Sequence, residues 1–298
     1  MIKIQVPATS ANLGSGFDSL GIALSLYNNV WIEEYDHIDI VSKDGLDIPK
    51  DKSNLIFWSA KYLYKMAGKK LPGLRIVQEN NIPMARGLGS SSACIVAGIL
   101  AANNFLGTPF SKSQLINFAA EIEGHPDNTT PAFLGGLSLT AIEGKTVFYD
   151  NVQISNKIRF AVFIPPFRLK TSVARQALPE TYSRNDSVYN LSRSALMVTS
   201  LISGNFKNLK VAVQDKLHQP YRMKFIDDLD KIFRISYNLG SYGTYITGAG
   251  PSIISIVDET VGKVMKEQVL EYLGKEGILG WKFELLKPDM LGATISFD

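Results

Sequence analysis

The stretch from Pro83 to Ala93 constrains this chain more than any other part of its sequence. Its letters, PMARGLGSSSA, combine two glycines with three consecutive serines and lead directly into an apolar segment that extends to Ala102. Glycine lets backbone N–H groups approach a ligand closely because it has no Cβ. A helix N-terminus adds unpaired N–H donors and a partial positive charge, which together suit phosphate. The stretch therefore predicts a nucleotide-phosphate loop followed by a buried helix.

Two better-known phosphate-binding sequences do not match this stretch. A P-loop needs a lysine after its second glycine, and no lysine lies between residues 83 and 93. The dinucleotide-binding fingerprint needs a third glycine where Ser92 stands. A serine-rich cap on an ordinary core helix is the remaining alternative, and the other motifs of the chain weigh against it.

Composition excludes several other classes of protein. The chain has 298 residues, enough for one large or two ordinary domains, with 45% hydrophobic and 20% charged residues and a net charge of +3. No basic stripe indicates nucleic acid, no apolar run is long enough for a membrane span, and no signal peptide is recognisable at the N-terminus. Cys94 is the single cysteine, and three scattered histidines lack zinc-site spacing. We expect a cytoplasmic protein with small-molecule partners that forms a homodimer, the commonest assembly.

Apolar periodicity outlines the first half of the chain. We expect a strand at 2–6, a loop of small and polar residues at 7–18, and a second strand at 20–34 that pairs with residues 38–41. Ser53 is the expected N-cap of the helix that follows.

The second half has a different order of elements. A strand, several helices, two strands and a helix precede closing strands at 283–286 and 293–297. This order is typical of a split β-α-β, or ferredoxin-like, arrangement. Because the segment 151–157 is polar, we predict an α+β chain with an N-terminal ATP-binding domain at 1–155 and a C-terminal ferredoxin-like domain at 156–298.

The loop at 7–18 carries groups suited to a small polar ligand. Asn12 offers an amide and Asp18 a carboxylate, which are appropriate for binding a hydroxyl and an ammonium group. A loop of this kind can equally be a simple connection between strands.

Two glutamates close a predicted helix and suggest a metal site. Glu121 and Glu123 lie in its last turn, where the helix dipole disfavours each negative charge by roughly 0.3–1 kcal/mol. A bound cation would offset this cost, and Mg²⁺ takes one or two carboxylates together with phosphate oxygens. We assign the metal to Glu121 and interpret Glu123 as a solvated surface residue. His125, Asp127 and Asn128 follow on a turn that could face the same cleft.

The second half supplies two arginines and a glycine-rich turn. Arg175 and Arg222 are suited to bidentate binding of a carboxylate, although either alone would be interpreted as a surface residue. Gly248 lies in a TGAGPS turn, where glycine permits close approach of the backbone to a ligand.

Taken together, these stretches resemble the motifs of the GHMP kinases, a family named for galactokinase, homoserine kinase, mevalonate kinase and phosphomevalonate kinase. Residues 83–93 resemble the family's phosphate loop, and residues 247–252 resemble its third motif. The resemblance is greatest to the branch that phosphorylates homoserine, whose motifs are similar to residues 7–21, 121–128 with Gly135-Gly136, 171–175 and 218–222.

The resemblance implies a fold and a reaction. The fold would join a ribosomal-S5-domain-2-like N-terminal domain to a ferredoxin-like C-terminal domain. The reaction would transfer the γ-phosphoryl group of ATP, with Mg²⁺, to the hydroxyl of L-homoserine, a step that feeds threonine synthesis.

The resemblance also implies residue roles. Ser91 and Glu121 would hold Mg²⁺, Arg175 and Arg222 would hold the acceptor carboxylate, and Asp18 would bind its ammonium group. The catalytic set would be Asn128, Asp127, His125 and Arg175. The phosphate-binding set would be Pro83, Met84, Ala85, Arg86, Gly87, Leu88, Gly89, Ser90, Ser91, Ser92 and Ala93, and the acceptor-binding set Asn12, Asp18, His125, Asn128, Arg175, Arg222 and Gly248.

We expect no side chain to act as a strong general base. Asn128 stands where mevalonate kinase-like relatives carry an aspartate, and an amide cannot usefully accept a proton near neutral pH. Asp127 is adjacent, but neighbours on an extended turn point in different directions. A loose transition state needs little nucleophilic push, so the proton would pass to phosphate or water. Ser15 replaces a usual proline of the opening motif and is expected only to loosen a turn.

Two alternatives remain from the sequence. One is a GHMP kinase for a different alcohol, such as mevalonate, although an ammonium partner at Asp18 favours an amino acid. The other is a non-catalytic ligand sensor on the same fold, which the presence of the phosphate-loop and metal residues disfavours.

Overall fold

The computed structural model describes residues 1–297, and Asp298, the last residue of the predicted second domain, lies outside the described residues. None of the helices within 1–297 has the length and apolar character needed to cross a membrane. Strands β1 to β11 are Ile2–Ala11, Leu20–Glu34, Ile38–Ser42, Leu74–Asn80, Leu137–Glu143, Thr146–Val152, Ile158–Ile164, Gly243–Ile246, Ile253–Asp258, Lys282–Leu286 and Thr294–Phe297. Helices α1 to α10 are Leu55–Met66, Ser90–Phe105, Lys112–Glu123, Pro126–Leu134, Thr171–Gln176, Arg184–Ser203, Leu209–Ala212, Gln219–Arg222, Leu229–Asn238 and Glu259–Lys275, with short 3-10 turns at Phe206–Asn208 and Met223–Phe225.

The first sheet has the order β11-β1-β2-β4-β3, and β5 and β6 extend from β2. The expectation that residues 38–41 pair with β2 is wrong, because β3 pairs in parallel with β4 instead. Among residues 1–297, strand β2 has no edge left for it, since β1 lies along one edge of β2 while β4 and β5 share the other.

Strand β1 is longer than predicted and carries half of the opening motif. It continues past a bulge at Pro7/Ala8 as far as Ala11, pairing with residues 21–24 of β2. The small side chains of this motif are therefore strand residues packed in the interior, and the true loop is limited to residues 12–19. The first residues of the opening motif are therefore held within the first sheet.

The apolar helix predicted after the phosphate loop is α2, and it is buried on nearly all sides. It contacts α1, α3, α4 and β1, and its small residues permit that crowding: a Cβ on Gly98 would lie 2.3 Å from the carbonyl oxygen of Ile56 in α1. Helix α1 is capped by Asn54, whose Oδ1 accepts from the amide of Ile56 at 3.0 Å. The expected cap, Ser53, instead donates its hydroxyl to Asp51.

The second sheet has the order β10-β7-β9-β8, with every neighbouring pair antiparallel. Numbered within this unit, the order is fourth, first, third, second, which is that of the predicted ferredoxin-like arrangement. Apolar residues of α9 and α10 pack on this sheet in a separate hydrophobic cluster.

The last strand departs from the prediction. Residues 293–297 were expected to close the second domain, yet β11 pairs antiparallel with β1 in the first sheet, from Gln5↔Thr294 to Ile2↔Phe297. The physical reason is that β1 has a free edge on the side away from β2. After β10 has paired with β7, the chain returns to the first sheet and β11 covers that edge. The chain therefore passes from the first sheet to the second and back.

Candidate active site

A cleft of about 420 Å³ lies where the two sheets meet. The phosphate loop, the opening loop, the first turn of α4 and residues of the second half all contribute to it. Its polar lining on one side is Asn12, Asp18, Glu123, His125, Asp127, Asn128, Arg175, Arg222 and Gly248, and the loop contributes Met84 to Ser91. The structure thus brings together most of the residues singled out in the sequence.

Both glycines of the phosphate loop are required by close contacts. Gly89, the N-cap of α2, has φ of 72°, and a Cβ there would lie 2.0 Å from Oγ1 of Thr9. Gly87 has φ of 71°, and a Cβ there would lie 2.3 Å from the carbonyl oxygen of Thr247. The loop is thus pressed between β1 and the TGAGPS turn, with its backbone toward the cleft.

The second half of the chain anchors the loop. The hydroxyl of Thr247 donates to the carbonyl oxygen of Gly87 at 2.8 Å. Arg86 donates to the carbonyl oxygens of Pro165 and Pro166, both at 2.9 Å. These contacts fix the position of the loop relative to the residues expected to bind the acceptor.

Glu123, and not Glu121, faces the phosphate loop, so the glutamate predicted from the sequence to hold the metal lies away from that loop. The hydroxyls of Ser91 and Ser92 donate to Oε1 of Glu123 at 2.7 and 3.0 Å. Glu121 lies on the surface and pairs with Lys145 at 3.1 Å, and this hydrogen bond lowers the pKa of Glu121. Two helical positions two residues apart differ by about 200° around the axis, so both cannot face one cleft.

Asp18 and Arg175 bind each other. Nη2 and Nη1 of Arg175 donate to the two carboxylate oxygens of Asp18 at 2.7 and 3.1 Å. Burial alone would lower the pKa of Arg175, but the hydrogen bond and charge of Asp18 outweigh it and raise that pKa. Separate roles for these residues, one on an ammonium and one on a carboxylate, were expected. The structure instead pairs them, because the loop at 12–19 carries Asp18 toward α5.

Arg222 is buried with part of its guanidinium unpaired. Its side chain is 1% exposed, and Nη1 donates to the carbonyl oxygen of Gly248 at 2.7 Å and to Nδ1 of His218 at 3.0 Å. Within residues 1–297, Nε of Arg222 is buried without a hydrogen-bond partner. Burial, followed by repulsion from Arg175, lowers the pKa of Arg222 to about 10. A buried cation with an unpaired donor favours an anionic ligand at this position.

His125, Asp127 and Asn128 lie in and beside the first turn of α4, not on an extended turn as predicted. Pro126 begins this helix at a position that suits proline. Nδ1 of His125 lies 2.6 Å from Oδ1 of Asp127. Burial would lower the pKa of His125, but the hydrogen bond and charge of Asp127 outweigh it and raise the pKa. The hydroxyl of Thr9 donates to Oδ1 of Asn128 at 2.7 Å.

The other end of the cleft was missed by the sequence analysis. It is mainly apolar with several amides, as expected for a pocket that receives a flat base. No local motif marks it, because its residues come from separate segments that only the fold brings together: Ile48, Pro49, Asn54, Leu55, Gln78, Asn80 and Cys94. Burial raises the pKa of the Cys94 thiol to about 12, so this cysteine is inert at neutral pH.

Three residues of the predicted phosphate-binding set do not line the cleft. Ser92 and Ala93 are buried in the first turn of α2, and Pro83 lies before the loop reaches the cavity. Ser15 also behaves differently from expectation. Its buried hydroxyl donates to the carbonyl oxygen of Ala212 at 2.8 Å, so it ties the opening loop to the second half instead of loosening a turn.

Comparison with known proteins identifies the class to which this fold and cleft belong. The family model for the GHMP kinases N terminal domain matches residues 54–136, and the model for the GHMP kinases C terminal matches residues 197–275. The chain belongs to the GHMP kinase family, and the phosphate loop described above lies inside the first matched region.

Several similar relatives carry one particular name. Homoserine kinase of Caldicellulosiruptor bescii is 44% identical over 298 residues, covering 99% of this chain and 97% of the relative. Homoserine kinase of Clostridium beijerinckii is 43% identical over 302 residues, covering 99% and 98%. The crystal structure of homoserine kinase from Cytophaga hutchinsonii has a TM-score of 0.89 at 25% identity, covering 99% of this chain and 97% of that one. A mevalonate kinase structure from Methanococcus jannaschii shares the fold, with a TM-score of 0.68 and 17% identity over 97% and 98% of the two chains.

Proposed function

We propose that this chain transfers the γ-phosphoryl group of ATP to the hydroxyl of L-homoserine, giving O-phospho-L-homoserine and ADP. The observation that carries the proposal is one cleft that joins a phosphate loop to a buried, partly unpaired arginine. Relatives named homoserine kinase, similar over 99% of the chain, support the choice of acceptor.

The phosphates of ATP would lie against the N-terminus of α2. The amides of residues 87–92 and the helix dipole favour negative charge there. The base would occupy the apolar end of the cleft beside Asn54 and Gln78.

A divalent cation, Mg²⁺ in our proposal, fits the oxygen donors beside the loop. Hard cations prefer oxygen ligands, and Glu123 is already within hydrogen-bond distance of the hydroxyls of Ser91 and Ser92. Ser91 and Glu123 would hold the ion, which neutralises phosphate charge during transfer. This replaces Glu121 in the set assigned from the sequence.

The acceptor would lie between the phosphate loop and the second half of the chain. Arg222 would donate its buried Nε–H to the acceptor carboxylate. Asp18 and Arg175 would give up part of the hydrogen bonding between them, so that Asp18 binds the ammonium group and Arg175 binds the carboxylate. Asn12 holds this side in place by donating to the carbonyl oxygen of Gly248 at 2.9 Å.

The chemistry would proceed without a strong base. The hydroxyl of Thr9 already donates to Oδ1 of Asn128, so this amide offers the acceptor hydroxyl its N–H donors. Asp127 is engaged by His125 and is 1% exposed. As the acceptor oxygen forms its bond to the γ-phosphorus, the bond to ADP breaks, and the proton passes to a phosphate oxygen or water.

The decisive experiment measures ADP release from ATP and Mg²⁺ by the purified chain. We expect release with L-homoserine and little with no acceptor, mevalonate, L-serine, L-threonine or galactose, and mass spectrometry should detect O-phospho-L-homoserine. Turnover with mevalonate alone would make the chain a kinase for a different alcohol. ATP binding without turnover on any acceptor would support the sensor alternative.

The assembly and the cellular location of the enzyme are proposed on separate grounds, the first because homodimers are common and the second from the sequence. We propose a homodimer located in the cytoplasm, with small molecules as its partners. Sedimentation equilibrium of the purified chain would measure the mass of the assembly directly.

A further inference from the structure

The ring of Phe17 lies under both arginines of the acceptor site. Phe17 comes from the opening loop, between Gly16 and Asp18. The guanidinium carbons of Arg175 and Arg222 lie 5.7 and 5.3 Å from its centroid. The Phe17 ring is therefore close to both of the cations that arrive from separate helices of the second half.

His218 also packs against Phe17. The two rings stack with centroids 5.1 Å apart and an interplanar angle of 19°. His218 is 0% exposed, so its stacking partner and its two ring nitrogens determine what it can do.

Both nitrogens of His218 are used. Nε2 lies 2.6 Å from the carbonyl oxygen of Gly14, and Nδ1 lies 3.0 Å from Nη1 of Arg222. A carbonyl only accepts and a guanidinium only donates, so Nε2 carries the proton and Nδ1 accepts. Burial lowers the pKa of His218 to about 4, which keeps the ring neutral in this tautomer at neutral pH.

The chain places His218 rigidly. The carboxylate of Asp215, which is 0% exposed, accepts from the backbone amides of His218 and Gln219 at 2.9 and 2.6 Å. These bonds fix the start of α8, and Arg222 lies one helical turn further on. The distance between the histidine ring and Arg222 is therefore set by the backbone.

This arrangement offsets the repulsion between the two arginines. Two guanidinium groups that share a carboxylate must stay close, although they repel, and the pKa of Arg222 is lowered partly by Arg175. The negative face of an aromatic ring attracts cations, and a neutral imidazole accepts from Arg222 without adding positive charge.

We propose that Phe17 and His218 form a neutral platform that sets the positions of Arg175 and Arg222 and thereby makes the enzyme select acceptors with a carboxylate beside the ammonium group. Both are positioning residues. The proposal rests on the proposed function, because it takes the two arginines as the carboxylate site.

The test compares L-homoserine with its α-carboxamide, which keeps the hydroxyl and the amine but removes the negative charge. In Phe17→Leu we expect kcat/KM for L-homoserine to fall about 30-fold, which equals about 2 kcal/mol. With the carboxamide we expect a change below about threefold, since no carboxylate is present to be held. KM for ATP should stay within about twofold.

Phe118→Leu is the matched control. Phe118 is also half-buried, in edge contact with Phe110 and Tyr62, and lies outside the cleft. We expect it to leave the ratio of kcat/KM for the two acceptors unchanged.

Variants of His218 supply a second readout. His218→Leu should lower kcat/KM for L-homoserine selectively, and His218→Gln should restore much of it, because an amide can both donate to Gly14 and accept from Arg222.

The outcomes separate the two proposals. Equal losses on both acceptors in Phe17→Leu, or the same selective loss in Phe118→Leu, would overturn the platform while leaving the proposed function intact. No turnover of L-homoserine by the unaltered chain would overturn the proposed function, and the platform's assigned role with it.

Discussion

The two sides of the cleft are built in different ways. The phosphate side, where we propose that ATP binds, consists of backbone amides on residues 87–92, held by tight glycine contacts, with Glu123 as its carboxylate. The acceptor side consists of charged side chains that pair across the chain, such as Asp18 with Arg175. A backbone site depends on local shape and carries little charge, whereas a side-chain site depends on the balance of charges brought from distant segments. The two sides should therefore respond to different substitutions.

The largest effect is expected on the acceptor side, in Arg222→Met. Truncating one partner of a buried, hydrogen-bonded charge costs about 2–5 kcal/mol, so kcat/KM for L-homoserine should fall roughly 10³-fold. KM for ATP should change little, as steady-state kinetics with each substrate varied in turn would measure. Arg159→Met is the control, since Arg159 is 7% exposed and pairs with Glu259 away from the cleft. A similar loss in the control would mean that the effect reflects general destabilisation.

The next effect tests the carboxylate on the phosphate side. Glu123→Gln should lower kcat about 10²-fold and raise the Mg²⁺ concentration needed for half-maximal rate, because the proposed metal ligand loses its charge. Glu121→Gln, two residues earlier and paired with Lys145 on the surface, should stay within about twofold of the unaltered enzyme. The reverse result would restore the assignment made from the sequence and contradict the one made from the structure.

The dependence of the phosphate side on close backbone contacts is tested by comparing Gly89→Ala with Gly107→Ala, at the two ends of α2. Both glycines have positive φ, 72° and 81°, so both substitutions cost backbone strain. A Cβ on Gly89 would meet Thr9 at 2.0 Å, while a Cβ on Gly107 would meet nothing within 4 Å. We expect KM for ATP to rise about tenfold in Gly89→Ala only, as ATP titrations of both variants would measure. Equal behaviour of the two variants would show that strain alone matters.

The smallest effect concerns the proton. Asp127→Asn should reduce kcat less than about tenfold, well below the 10²–10⁴-fold contribution of a general base. It should also lower the pKa of His125, which Asp127 raises, and NMR titration of the ring protons would follow that shift.

The same pair predicts a pH dependence of stability. A histidine whose pKa is raised by folding adds stability that is fully present below about pH 6.5 and is lost as pH rises through the folded value. The free energy of unfolding of the unaltered chain should therefore exceed that of Asp127→Asn by more at about pH 5.5 than at about pH 8.5, as measured by urea denaturation. If instead the kcat of Asp127→Asn fell by several orders of magnitude while the fold stayed intact, Asp127 would be identified as the base.

The comparison of the two sides also explains which features the sequence could predict. The phosphate loop and α2 were predictable because glycines, serines and an apolar run are contiguous. The ferredoxin-like order of the second half followed from the sequence of elements. Strand β3 was misassigned because periodicity reports which residues are buried and carries no information about which neighbouring edge is free.

Side-chain pairing was the least predictable part of the site. The choice between Glu121 and Glu123 depends on the rotation of α3 around its axis, which a two-residue spacing in the last turn does not reveal. The pairing of Asp18 with Arg175 joins segments 157 residues apart. The base end of the cleft combines residues of the segment before α1, the end of β4 and the first turns of α2, and no one of these segments carries a recognisable motif.

The return of β11 to the first sheet has a consequence for how the chain is made. Strand β1 is synthesised long before residues 294–297, which cover one of its edges in the part of the chain that the structure describes. Until those residues fold back, the first sheet exposes an unpaired edge, a feature that invites association with other chains. Two crossings of the chain then link the halves, at 152–158 and at 286–294. Purified chains truncated before residue 294 should therefore be more prone to aggregate than chains that keep residues 294–297.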